Sequence, residues 1–293
     1  MPADAQPTPG RRRAAYSSFV ELIVLGAAPA YTDRRGSAAS SYLLRAGGAN
    51  LLLDLGQGSF SNLAATLDPS TLAAVLVSHL HPDHFIDLVP LRHYLKWEFN
   101  PPRRVRVAAP ATLADRLDFL DGQVGFVADS FDVEALSEGV HRFGPFEVEV
   151  RRVTHTSESY AFRVAVAGGS AGAGADGAGS AAAGTGRAAA GMGRAAAGLV
   201  YSGDCARVDD LVPLIHPGDT VLSEATFGAG PVAPGAQHIT SGDVARVATE
   251  CGAARLLLTH ILSTHSRNGT LASARAAFAG PVQLVTEGDR FDV

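Results

Sequence analysis

The stretch "VLVSHLHPDHFIDL", residues 75–88, constrains this chain more than any other. It opens in an aliphatic run, "LAAVLVS" (72–78), with the continuous apolar character of a strand buried on both faces. Directly after that run stand His79, His81, Asp83 and His84. Imidazole nitrogens and carboxylate oxygens are the ligands that zinc and similar divalent ions take. A lone buried histidine is usually a hydrogen-bonded core residue, but four donors in six positions at a strand end are not explained that way. On a strand-to-helix turn this spacing can split the donors into two pairs facing two neighbouring ions. Two ions need further ligands, and later strand ends offer them. His155 closes "FEVEVRRVTH" (146–155), Asp204 closes "GLVYSGD" and His260 closes "RLLLTH".

Around these points the chain alternates between two periods. "FVELIVLG" (19–26) reads as a strand, and "SYLLRAGGANLLLDLG" (41–56) as a hairpin turning at Gly47-Gly48. "FIDLVPLRHYLKWEF" (85–99) has a helical apolar repeat, "RRVRVAAP" (103–110) is strand-like, and "ATLADRLDFL" (111–120) is helical. Residues 146–155 and 160–167 alternate as paired strands. Strands are then expected at 199–203, 219–223 and 255–260, helices at 206–215, 240–250 and 270–279, and one or two strands at the end. Hairpins first and helix–strand alternation later point to a layered α/β sandwich.

Residues 1–18 read as a loose tail with no apolar signal core, and 19–293 as one domain. Residues 167–198 interrupt that domain with an almost pure Ala/Gly insert ending in "GRAAAGM" and "GRAAAGL". Each glycine costs a helix about 1 kcal/mol, so the expectation is an expanded, mobile hairpin turn. A substrate-capturing arm would have only Arg187 and Arg194 to work with.

Hydrophobic residues at 46% against 18% charged supply a substantial core. A net charge of −5 means that nucleic-acid binding would have to rest on a local patch. Two cysteines, Cys205 and Cys251, make no disulfide framework, and no apolar run of about 18 residues suggests a membrane span. The expected location is cytoplasmic.

The order Asp54, His-x-His-x-Asp-His, His155, Asp204, His260 resembles the metallo-β-lactamase superfamily, from about residue 20 to the C-terminus. The resemblance implies a four-layer αββα sandwich with a two-metal site at one edge. It implies that His79, His81 and His155 hold one ion, that Asp83, His84 and His260 hold the other, and that Asp204 bridges them. Asp54 is then expected to orient the ligand loop through hydrogen bonds. Zinc is the default for the two divalent ions, with manganese or iron open.

The segment "LSEATFGAGPVAPGAQHITSGDVARVATECGAARLLLTH" is similar to the ribonuclease Z-like branch, where Glu-Ala-Thr-Phe is followed by His-x-Thr opening a helix. Thr240 or Ser241 is placed to cap that helix, with His238 on the loop before it. The resemblance makes Asp83, His238 and Glu224 the candidate catalytic residues, with Glu224 orienting a non-ligand His238. Two departures stand out: Ser223 occupies a position that is usually histidine, and the Ala/Gly insert stands where a basic tRNA-gripping arm is expected. The C-terminal stretch from Arg255 looks more like the ribonuclease Z-like cyclic-nucleotide phosphodiesterases. The implied activity is phosphodiester hydrolysis of a small substrate such as a cyclic nucleotide, by water that the ions acidify from a pKa of ~15.7 towards ~7. Processing of RNA 3′ ends is the alternative, followed by hydrolysis of a sulfate ester, thioester or lactam. A metal-binding scaffold without catalysis fits a complete ligand set less well. Homodimers are common in the family resembled.

Other residues carry weaker signals. His93 reads as a partly buried helix residue, His141 and His216 as solvated loop residues, and His265 as an exposed loop residue. Cys205 reads as a small buried neighbour of Asp204. Arg103, Arg104, Arg106, Arg151 and Arg152 read as solvated strand faces.

Overall fold

Alternation along the strands decides the layering. In β1 (Glu21–Gly26), Leu22 and Val24 face one way, and Ile23 and Leu25 the other, yet all four are buried. A strand apolar on both faces needs a layer on each side. The computed structural model describes residues 20–167 and 197–293. The expected tail over 1–18 and most of the 167–198 insert lie outside the described residues.

Two seven-stranded mixed sheets pack face to face. The first contains β1, β2 (Ser41–Ala46), β3 (Ala49–Leu53), β4 (Leu72–Leu76), β5 (Val105–Ala109) and β6 (Phe131–Ala135), with β14 (Arg290–Asp292) beside β1. The second runs from β7 (Gly139–Phe143) through β8 (Phe146–Val153), β9 (Ser159–Val166), β10 (Leu199–Tyr201), β11 (Thr220–Glu224) and β12 (Arg255–Thr259) to β13 (Val282–Leu284). Helices α1 (Ser59–Thr66), α2 (Pro82–Phe85), α3 (Leu88–Trp97) and α4 (Leu113–Asp121) flank the first sheet. Helices α5 (Ser241–Glu250) and α6 (Arg267–Ala277) flank the second.

Three apolar clusters follow from this stacking. Leu22, Val24 and Leu44 meet Phe146, Phe162 and Leu257 between the sheets. Ile23, Leu43 and Val75 meet Leu63, Leu91 and Leu117 of the outer helices. Val221, Leu256 and Leu258 meet Val244, Val247 and Ala274 on the far side. The molecule is therefore an αββα sandwich. The capping expectation resolves to Thr240, whose side chain accepts from Asp243 N while Asp243 answers at the cap, starting α5 at Ser241.

Several expectations change. The helix over 206–215 shrinks to a 3-10 turn at Val208–Leu211, because Pro213 falls inside the expected span, has no N–H to continue a helix, and is followed by Pro217. The helix over 85–99 divides into α2 and α3. Strands β6 and β7 and helix α1 were not foreseen. His93 is exposed rather than partly buried, and its Nδ1 lies 2.9 Å from Val89 O within its own helix. His141 lies on β7 rather than in a loop. His265 is half-buried, its ring centroid 6.2 Å from that of Phe227. The arginine run is held by carboxylates: Arg103 to Asp68 at 3.5 Å, Arg104 to Asp132 at 2.6 Å, and Arg106 to Glu134 at 2.8 Å.

Both roots of the Ala/Gly insert are tied down at one point. β9 runs antiparallel to β10, pairing Val164 with Leu199 and Phe162 with Tyr201. Asp219 accepts from Arg163 Nε at 2.8 Å and Nη2 at 2.9 Å, and from Gly198 N at 2.8 Å. Arg163 and Asp219 are both buried, so removing one partner strands the other's charge. Arg163→Ala is expected to cost about 3–5 kcal/mol in denaturant unfolding. A loss below ~1 kcal/mol, the value of a surface pair, would refute that reading.

Candidate metal centre

The parallel strands aim at one edge. β4, β10, β11 and β12 all run towards it, so the residues after their last paired positions converge. Asp54 and His260 leave strands β3 and β12 with φ of 56° and 57°. This left-handed backbone is uncommon for residues other than glycine, and here it turns both side chains back into the site.

All seven predicted donors come together there. His79, His81, His155 and Asp204 each offer one ligand atom within 4.8 Å of the others, and so do Asp83, His84, Asp204 and His260. Asp204 belongs to both groups. Its Oδ1 lies 3.4 Å from His84 Nε2, and its Oδ2 lies 3.6 Å from His79 Nε2, 3.7 Å from His260 Nε2 and 4.0 Å from His155 Nε2. Asp83 Oδ2 lies 3.1 Å from His260 Nε2 and 3.7 Å from His84 Nε2.

A hydrogen-bond partner leaves each imidazole one nitrogen to spare. His84 Nδ1 donates to Asp54 Oδ2 at 2.7 Å. His155 Nδ1 donates to the carbonyl of Gln237 at 2.9 Å. Ser78 Oγ gives its proton to Asp54 Oδ2 at 2.8 Å and so can only accept from His79 Nδ1 at 3.1 Å. These bonds fix tautomers with Nε2 turned inward, the arrangement metal-bound histidines need. His81 is reversed: its Nε2 lies 3.1 Å from Thr156 Oγ1, and its Nδ1 lies 3.2 Å from His155 Nε2.

The inward atoms fit a cation. His79 Nε2, His84 Nε2 and Asp204 Oδ1 are buried without a hydrogen-bond partner. An orphaned buried polar atom costs about 1–3 kcal/mol, so three in one cluster call for a bound ion. Burial alone would raise the Asp204 carboxyl pKa, yet His260, His84 and His79 hold it well below the usual carboxylate range. Burial would likewise lower His84, but Asp204 and Asp54 lift it well above the ordinary histidine value. Positive charge is thus strongly favoured at this point.

Asp54 serves as the hub on one side. It accepts from Ser78 N at 2.6 Å, Ser78 Oγ, His84 Nδ1 and Tyr201 Oη, the last at 2.6 Å. Glu224 is the hub on the other. It accepts from Cys205 N at 2.7 Å and faces His238 Nδ1 with Oε1 at 3.0 Å and Oε2 at 3.1 Å. Burial would lower His238, but its bond to Glu224 and the nearby Asp204 raise its pKa above the ordinary value. Cys205 is buried and its thiol is pushed up to about 12, so it is an inert neighbour. Ser78, Thr156, Tyr201, Thr226 and the Gln237 carbonyl escaped sequence reasoning. Only the position of Ser78 beside His79 and of Thr226 inside "EATF" hinted at a role.

Residues 50–261 match the Beta-lactamase superfamily domain, and the chain belongs to that family. An uncharacterized protein of Mycobacterium leprae (strain TN) is 32% identical over 283 residues, covering 94% of this chain and 89% of its own. A ribonuclease Z of Thermobifida fusca (strain YX) is 26% identical over 296 residues, covering 91% of this chain and 92% of its own. The crystal structure of the metallo-beta-lactamase fold protein YhfI from Bacillus subtilis shares the fold. It superposes with a TM-score of 0.76 at 22% identity, over 94% of this chain and 100% of that one. Family and donor clusters together define a metallo-hydrolase of this superfamily.

Proposed function

We propose that the chain is a two-metal phosphodiester hydrolase whose substrate is small, such as a cyclic nucleotide. The observation that carries the reading is His238. It stands beside the donor clusters, 3.8 Å from Asp204 Oδ2, with its Nδ1 held by a carboxylate that is itself 1% exposed. His79, His81 and His155 would hold one ion, Asp83, His84 and His260 the other, and Asp204 both. Two divalent ions bound there acidify water and neutralise the non-bridging oxygens of a phosphodiester.

The chain's own residues do the rest. Glu224 orients His238 and keeps the proton on Nδ1, which leaves Nε2 free for the reacting group. The His238 side chain is 22% exposed, which keeps it within reach of a substrate at the mouth of the site. A protonated His238 can hydrogen-bond a phosphoryl oxygen or give a proton to the departing alkoxide. Buried Asp54 restrains His84 directly and His79 through Ser78, so the donor loop does not reorganise during turnover.

Three features favour a small substrate over an RNA. The net charge is −5, and residues 167–198 contain two arginines, Arg187 and Arg194, and no lysine. The roots of that segment also lie at the far end of the sheet. Ser159, at the start of β9, bonds Asp204 O at the site, while Val166 lies seven residues along the strand, about 23 Å away at 3.3 Å per residue. The ribonuclease Z likeness keeps RNA 3′ ends as the second reading. Protein of measured metal content should be assayed in parallel on bis(p-nitrophenyl) phosphate, a cyclic nucleotide, a precursor tRNA and chromogenic sulfate-ester, thioester and lactam substrates. Turnover of the first two is expected. Cleavage confined to the tRNA supports the second reading, and cleavage confined to a sulfate ester, thioester or lactam overturns both.

A further inference from the structure

Glu224 binds more than His238. Thr226 Oγ1 donates to Glu224 Oε2 at 2.5 Å, and a hydroxyl has one proton to give. With that proton committed, Oγ1 can only accept from His260 Nδ1, 2.9 Å away. His260 Nδ1 therefore carries the ring proton, so Nε2, 3.1 Å from Asp83 Oδ2 and 3.7 Å from Asp204 Oδ2, has a lone pair to give to an ion bound between them. His238 Nδ1 also approaches Oγ1, at 3.3 Å, but the carboxylate oxygens at 3.0 and 3.1 Å are nearer and charged. Glu224, Thr226 and His260 are 1%, 3% and 4% exposed, so bulk water does not stand in for the hydroxyl.

The same device appears across the site. Asp54 grips His84 directly and His79 through the hydroxyl of Ser78. Glu224 grips His238 directly and His260 through the hydroxyl of Thr226. We infer that Thr226 is a positioning residue that sets the tautomer and ring orientation of His260. Through it, one carboxylate aligns a metal ligand and the non-ligand His238 together. This rests on the assignment of His260 as a ligand, and not on which substrate is cleaved.

The test compares the full chain with Thr226→Ser, Thr226→Val and Thr226→Ala. Zinc titration against a chelator should find two ions at wild-type affinity in Thr226→Ser. In Thr226→Val one of the two should bind about 10–100-fold more weakly, the range for losing a ligand's hydrogen-bond partner. NMR of the zinc-loaded chain should show a slowly exchanging His260 imidazole N–H in the wild type and in Thr226→Ser. That signal should exchange rapidly in Thr226→Val. Thr226→Ala gives the same readings without a methyl in place of the hydroxyl, so poor folding of the valine protein does not decide the outcome. Two ions at wild-type affinity with a protected His260 N–H, in either variant, overturn the inference. A wild type that cleaves none of the phosphodiesters overturns the proposed substrate and leaves both readouts unchanged.

Discussion

Asp204→Ala is expected to leave a folded chain that retains neither ion at wild-type affinity and has no measurable hydrolysis. Among the described residues, Asp204 alone belongs to both four-donor groups. Its two oxygens lie within 4.0 Å of nitrogens from His79, His84, His155 and His260, so its loss leaves four inward-facing imidazoles with no shared anion. Those rings repel one another once two of them are protonated, and the one carboxylate shared by both donor groups, which would hold both ions, is gone. The rate should fall by more than about 10³-fold, beyond the 10²–10³ typical of removing one electrostatic donor. Metal analysis and turnover on one preparation check this. An Asp204→Ala protein with two ions and wild-type turnover would sink the two-metal scheme.

His238→Ala should separate chemistry from binding. Turnover should fall by about 10²–10⁴-fold, the usual share of a general acid, while both ions stay bound. The loss should also depend on the leaving group. Opening a cyclic nucleotide breaks a P–O bond to a basic ribose alkoxide that needs the proton, whereas p-nitrophenolate departs without it, so bis(p-nitrophenyl) phosphate should suffer far less. Glu224, His238 and His260 also offer three donor atoms within 4.8 Å, which supplies the competing outcome. If the alanine protein loses an ion, His238 is a ligand and its assignment as acid is wrong.

Much of the site was legible because strand ends are legible. Runs such as "LAAVLVS" and "RLLLTH" announce buried strands, and a polar residue directly after one has few places to go except the sheet edge. The order of donors along the chain then carried the fold. What the sequence hid was the meaning of its hydroxyls. Tyr201 meets Asp54 across 147 positions and Tyr42 meets Thr259 across 217, and no local spacing marks such pairs. Edge strands were hidden for a related reason. β6 and β7 carry exposed residues on most of their length, so register with a neighbour recruits them rather than an apolar repeat of their own. The short turn at Val208–Leu211 failed differently: its apolar residues look helical, but the prolines at 213 and 217 end it.

The Asp219 clamp bears on how this chain tolerates change. Gly198 and Arg163 are fastened to one carboxylate at the point where residues 168–196 leave and rejoin the sheet. β10 then runs without interruption from that anchor to Ser202, Gly203 and Asp204. A pull or a change of length upstream of Gly198 is borne by the anchor, as a cable's strain relief spares the connector. Changes within residues 168–196 are thereby mechanically decoupled from the chemistry at the other end of β10.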